Sequence, residues 1–227
     1  QDNIVGRTNF CIEPKGLVLS IPVVGGTKSF NVEKLVALRP THVLVNIDET
    51  PKELAKQIQS NKISLIVTHP NKPVDNIALF SLLGGLFGRQ LLAAKLIAGL
   101  QGELMTTGEW PARKVLYLIW KRPWMTVSRD TYIANMLALF GMQTLGHEAG
   151  RRYPEIDMNS ELLSDADFIL FATEPFPFAA KHINEFAKEF SVNASSKLRS
   201  IDGKMVSWYG NRAIEGLSYL REFTSQL

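Results

Sequence analysis

The sequence predicts an α/β fold of two lobes, each on a parallel sheet, joined by one long rigid helix. Three observations carry this expectation. In the outer parts of the 227-residue chain, short β-branched apolar runs alternate with helical patterns. The middle carries helical periodicity and no strand signal. The two outer parts also echo each other.

The apolar runs Val43-Leu44-Val45, Ser64-Leu65-Ile66-Val67, Val115-Leu116-Tyr117-Leu118-Ile119 and Phe168-Ile169-Leu170-Phe171 read as buried parallel strands. Between them, Val32 to Leu38, Pro51 to Ser60, Thr131 to Phe140 and Ala179 to Phe190 read as helices. From Pro73 to Thr107, apolar residues recur at helical spacing through Ile77, Phe80, Leu83, Phe87 and Leu91. Pro73 suits a helix start, and Gly108 with Pro111 a stop. A helix of roughly 34 residues would be about 50 Å long, more than one small sheet needs for a crossover. It therefore reads as a strut between lobes. Gly84, Gly85 and Gly88 weaken it, and close packing is the expected return, with a kink as the competing account. The expected organisation is an N-terminal lobe over 1–72, a connecting helix over 73–108 and a C-terminal lobe over 109–227.

The echo lies in Leu38-Arg39-Pro40-Thr41-His42-Val43-Leu44-Val45 and Leu163-Ser164-Asp165-Ala166-Asp167-Phe168-Ile169-Leu170. Each is a helix end, a polar turn and a strand, and each leads to a glutamate, Glu49 or Glu174, at the strand's carboxyl end. In open α/β sheets ligands bind beyond those ends.

Composition excludes several classes. A formal net charge of +3, spread without runs, does not predict a nucleic-acid partner. Cys11 is the only cysteine, so no intrachain disulfide forms, and it reads as a small buried hydrophobe. Gln1-Asp2-Asn3 lacks the pattern of a signal peptide. No G-x-S-x-G elbow or phosphate loop occurs, and Gly25-Gly26-Thr27-Lys28 reads as a tight turn before the Val32 helix. His42, His69, His147 and His182 have no neighbours at metal-ligand spacing. No catalytic residue and no metal site are therefore assigned.

Aromatic residues in loops stand out instead. Lys121-Arg122-Pro123-Trp124-Met125 follows one strand and Phe176-Pro177-Phe178 another. Arg151-Arg152-Tyr153-Pro154 precedes a helix, and Ser207-Trp208-Tyr209-Gly210 follows the last predicted strand. Flat rings mixed with Arg and Lys suit a large, planar, partly anionic ligand. Each ring taken singly fits a cap on a lobe core equally well.

With these segments the chain resembles the periplasmic binding proteins built on a helical backbone, which serve cobalamin, haem and iron-siderophore importers. The resemblance runs through Val5-Gly6-Arg7-Thr8, Val24-Gly25-Gly26-Thr27, Asn31 to Pro40, Pro123-Trp124-Met125-Thr126, Arg152-Tyr153-Pro154-Glu155, Thr173 to Phe178 and Ser207-Trp208-Tyr209-Gly210. It is most similar to the cobalamin-binding branch.

The resemblance implies a non-enzymatic, monomeric receptor that holds a metal chelate between lobes and docks on an ABC permease. It implies a periplasmic or extracytoplasmic location, compatible with a membrane tether outside this chain. The expected ligand contacts are Lys28, Trp124, Met125, Arg129, Tyr153, Phe176, Trp208, Tyr209 and Arg212. No cofactor is expected; a chelate such as cobalamin is cargo. The docking carboxylates are expected at Glu33 and, because the matching position in the second lobe is Asn159, at Glu161. Glu161 lies two residues on, which on a helix is a different face; Glu155 and Asp157 are alternative substitutes. Family members usually carry a further strand and helix before Val5, which predicts a less stable first lobe. The competing readings are an iron-siderophore or haem receptor, a chelatase-like tetrapyrrole enzyme, and a protein-binding surface without small ligand.

Overall fold

The computed structural model describes residues 3–227, the side chain of Ser195 apart; Gln1 and Asp2, where a leader would be sought, lie outside the described residues. The chain forms two compact units, one ending at His69 and one beginning at Pro70.

The N-terminal unit runs β1 (Arg7–Thr8), β2 (Val23–Gly25), α1 (Val32–Ala37), β3 (His42–Asn46), α2 (Lys52–Ser60) and β4 (Ser64–Thr68). Its strands make two separate two-stranded parallel sheets, β1–β2 and β3–β4, the latter in register Val43 to Leu65 and Val45 to Val67. The Gly25–Lys28 turn closes with the Gly26 amide donating to the Ser29 carbonyl at 2.9 Å. Helix α1 follows because the Asn31 side chain accepts from the Lys34 amide and caps it. The core is small: Val24, Leu35, Val45, Ile58 and Ile63.

Strands read as buried on both faces are not so here. Leu44 is 45% exposed and Val67 56%, and of β3 and β4 only Val43, Val45 and Leu65 join the small core. Cys11 is a second correction. It is exposed, with Sγ 3.4 Å from Thr8 Oγ1, in the irregular loop that follows β1.

The C-terminal unit opens with a 3-10 turn, Pro73–Asp75, in which the Asp75 carboxylate accepts from the Asn71 and Lys72 amides. Two helices follow, α3 (Asn76–Leu86) and α4 (Gln90–Met105). The expected single helix over 73–108 is therefore interrupted. Gly88 adopts φ +61°, which breaks the ladder and turns the chain. Gly84 permits the return: a Cβ there would lie 2.5 Å from that of Ala93. Helix α4 packs against α3 and also reaches the 3-10 turn before it. Apolar periodicity continues through the turn because both helices bury a stripe, so pattern alone cannot mark the break.

Beyond these come β5 (Arg113–Leu118), α5 (Tyr132–Ala138), β6 (Met142–Thr144), α6 (Ser160–Asp165), β7 (Phe168–Ala172), α7 (Ala180–Glu189), α8 (Ala194–Lys197), β8 (Leu198–Ile201), α9 (Gly203–Ser207) and α10 (Arg212–Ser225). The four strands form one all-parallel sheet in the order β6-β5-β7-β8. Alternate residues of β5 feed opposite cores. Val115 and Tyr117 join Leu100, Met136, Leu217 and Leu220 on one face. Leu116 and Leu118 join Ile169, Phe171, Phe178 and Phe186 on the other. Each such fully buried side chain contributes about 1.5–3 kcal/mol, so this unit holds most of the chain's apolar stabilisation.

Candidate functional site

All four strands of the C-terminal sheet end on one edge, and the loops leaving them carry the conspicuous side chains. After β5 the chain reaches Trp120, 39% exposed, and turns back so that Met125 pairs with Trp120 across an antiparallel bridge. After β7 comes Thr173-Glu174-Pro175-Phe176, tied to β5 by the Phe176 amide donating to the Ile119 carbonyl at 3.2 Å. That tie sets the Phe176 ring edge-on to Trp120, with centroids 5.6 Å apart.

After β8, Asp202 caps α9 by accepting from the Lys204 and Met205 amides. Helix α9 lies between the last strand and Trp208, where the sequence suggested direct succession. Trp208 Nε1 donates to Glu174 Oε2 at 3.0 Å. Lys204 Nζ stands 3.8 Å from Glu174 Oε1 and 5.4 Å from the Trp208 ring centre. The Arg212 guanidinium lies 5.9 Å from the same ring and pairs with Glu215 at 2.9 Å. Tyr209, 36% exposed, meets the Tyr132 ring edge-on, and the Gly210 amide donates to buried Asn76 at the start of α3. The edge thus presents Trp120, Phe176, Trp208 and Tyr209 with two cations, Lys204 and Arg212, and their carboxylates, Glu174 and Glu215. Such a surface stacks on a flat conjugated ligand and pairs with anionic substituents.

Of the expected ligand residues, Trp208, Tyr209 and Arg212 stand together beyond β8, and Phe176 stands beyond β7, two residues from the Glu174 that holds Trp208. Trp124 does not join them. Its ring stacks parallel to Phe178 at 6.2 Å and meets Phe186 and Phe190 edge-on, as a lid on one core. Above it, Lys121 bonds Glu185 at 2.7 Å and holds that exposed carboxyl below the usual carboxylate range. Met125 and Tyr153 pack, half-buried, on the opposite core. Arg129 is exposed near the end of β6, with Nε donating to the Thr144 carbonyl at 3.4 Å. Lys28 is exposed in the N-terminal unit, in the turn between β2 and α1. On that unit's own strand ends, Thr27 Oγ1 donates to Glu49 Oε2 at 2.9 Å.

Sequence reasoning did not assign Trp120, Glu174 or Lys204 to the site. Trp120 directly follows the apolar run at 115–119, and Glu174 was marked by the internal echo. Lys204, in α9, carries no such signal in the sequence.

Glu33 and Glu161, the two glutamates expected to dock, share a local setting. Asn31 caps α1 by accepting from the Lys34 amide, and Glu33 is the second helical residue. Asn159 caps α6 by accepting from the Leu162 amide, and Glu161 is again the second helical residue. Asn159 is thus the cap that precedes α6, with extended backbone, and not a residue within the helix. Asn159 and Glu161 line one open groove of about 730 Å³ with Leu145, Gly146 and Asp165. Among the described residues, no group of three or more His, Cys, Asp or Glu is placed to hold a metal ion.

Comparison with known proteins gives one family match: a model described as periplasmic binding protein matches residues 1–211. No curated protein sequence matches the chain. Among solved structures, the vitamin B12 binding protein BtuF of Vibrio cholerae is similar with a TM-score of 0.83 at 12% identity, covering 98% of this chain and 88% of that one. A periplasmic heme binding protein of Pseudomonas aeruginosa gives 0.79 at 19% identity over 97% and 84%. IsdE of S. aureus, complexed with heme, gives 0.76 at 18% over 98% and 93%.

Proposed function

Because the chain belongs to the periplasmic binding protein family, a family of binding proteins and not of enzymes, we propose that it is the substrate-binding protein of an ABC importer, capturing a bulky metal chelate outside the cytoplasm. The observation that carries the reading is the Trp208 clamp, a large ring fixed by Glu174 and flanked by Lys204 and Arg212, with exposed Tyr209 next in the chain. Rings held in place lose little freedom on binding, so stacking on a rigid macrocycle costs little order.

A corrinoid such as cobalamin is the first cargo, in keeping with the likeness to BtuF. Haem or a ferric siderophore is the second, favoured by the cations that flank Trp208, which suit a cargo with free carboxylates. Lys28 and Arg129 are offered as further polar contacts. Trp124, Met125 and Tyr153 are assigned to supporting the loops that present the ligand face. For delivery, Glu33 and Glu161 serve as paired carboxylates for cations on the permease, since each stands at the same place after an asparagine cap.

Thermal melting with cyanocobalamin, haem and ferric siderophores tests this. A cargo at a hundred times its Kd adds about 2.7 kcal/mol, several degrees in Tm. A shift with cobalamin alone selects the corrinoid, and a shift with haem or a siderophore moves the cargo within the class. No shift with any of them overturns the receptor reading.

A further inference from the structure

We propose that the turn between α3 and α4 rests on the surface of an anionic lipid bilayer. The turn exposes apolar side chains that nothing in the C-terminal unit covers: Leu91 is 90% exposed, Leu92 54%, Leu82 45% and Phe87 38%. All four lie at one end of the α3–α4 pair, where Gly84 near the end of α3 lies against Ala93 near the start of α4. Apolar exposure concentrated at one end of a helix pair is uncommon on a free surface and marks contact with a partner or a membrane.

Charge selects the membrane. Between Asp75 and Glu103 the only ionisable side chains are Arg89 and Lys95, both exposed. Lys95 follows Leu91 by four residues and so shares its helix face, while Arg89 sits in the turn itself. A second copy docked symmetrically on this patch would bring like charges together with no acid in either patch to offset them. An anionic leaflet offers the complement: headgroups for the two cations and an acyl boundary for the leucines. Long basic side chains reach the headgroups while their stems stay with the apolar residues. The contact is interfacial, since no described helix is long and apolar enough to cross a membrane.

The test is co-sedimentation of the purified full chain with phosphatidylcholine vesicles, with and without phosphatidylglycerol. The variants are R89Q/K95Q and L91S/L92S, which alter exposed residues. Melting curves establish that each still folds. Binding is expected only to vesicles containing phosphatidylglycerol, weakened by salt. Removing each cation should lower partitioning about fivefold, from roughly 1 kcal/mol per basic residue at such a surface. L91S/L92S should abolish it. Equal binding to both lipids, none to either, or variants that bind like the parent would overturn the proposal. So would a concentration-dependent dimer in analytical ultracentrifugation that L91S/L92S abolishes, which would assign the patch to a second copy.

Discussion

Trp124 and Trp208 stand in different surroundings, and the roles proposed for them differ accordingly. Trp124 is enclosed by Phe178, Phe186 and Phe190, whereas Trp208 is held at its Nε1 by Glu174 and keeps its ring between two cations. Trp124→Ala should therefore act first on stability, costing about 3 kcal/mol as a large-to-small change over a core, read as a lowered Tm without cargo. Trp208→Ala should leave that Tm nearly unchanged and weaken cargo binding about thirtyfold, from the roughly 2 kcal/mol typical of a central aromatic anchor. Fluorescence titration separates the two, and the reverse pattern would reassign both residues. Glu174→Ala should weaken binding by about fivefold through loss of one hydrogen bond of roughly 1 kcal/mol. A Glu174→Gln variant keeps an acceptor for Nε1 and should retain most of the affinity.

Elements depend on close approach and on buried hydroxyls. At Gly84 an added Cβ would meet Ala93 at 2.5 Å, so Gly84→Ala forces α3 and α4 apart. It should cost about 1–3 kcal/mol and lower Tm by several degrees, despite the helix propensity gained. Tyr117 on β5 and Tyr132 on α5 are both raised in pKa above the ordinary tyrosine value, mainly by burial. Their stabilising effect has a definite sign. Below the unfolded value near 10 both states keep the proton and stability is full. Above it the unfolded chain loses protons that the folded chain retains, so stability falls as pH rises. The slope is about 1.4 kcal/mol per pH unit for each tyrosine. Melting followed from neutral pH into the alkaline range should show Tm falling from about pH 10, cooperatively with tyrosinate absorbance. Full tyrosinate signal in the folded protein would contradict it.

At the scale of the whole molecule the two units differ in how much they bury. The C-terminal unit covers both faces of a four-stranded sheet, while the N-terminal unit has a small core and leaves Leu44 and Val67 half exposed. Opening free energy follows buried apolar contact. Hydrogen exchange should therefore be fastest over β3 and β4 and slowest over β5 and β7. Equal protection in the two would require stabilisation from outside these cores.

The alternation of strand and helix was legible because buried parallel strands are short unbroken apolar runs, as at 115–118 and 168–171, and helices carry their own period and caps. The aromatic loops were legible as loops. Which of their rings close a core was not, because the same residue type at a strand end is covered or left open according to what packs beside it. Trp124 became a lid only when α7 brought Phe186 and Phe190 against it. Trp208 acquired its carboxylate from a loop 34 residues away. The sequence by itself determined the class of fold and the membership implied by its ordered motifs, while the asparagine caps before Glu33 and Glu161 emerged only in the structure. Tertiary structure alone decided the turn at Gly88, the exposure of Cys11 and the pairing of Trp208 with Glu174. Local pattern records which face of an element is apolar; which distant surface meets that face depends on packing between elements.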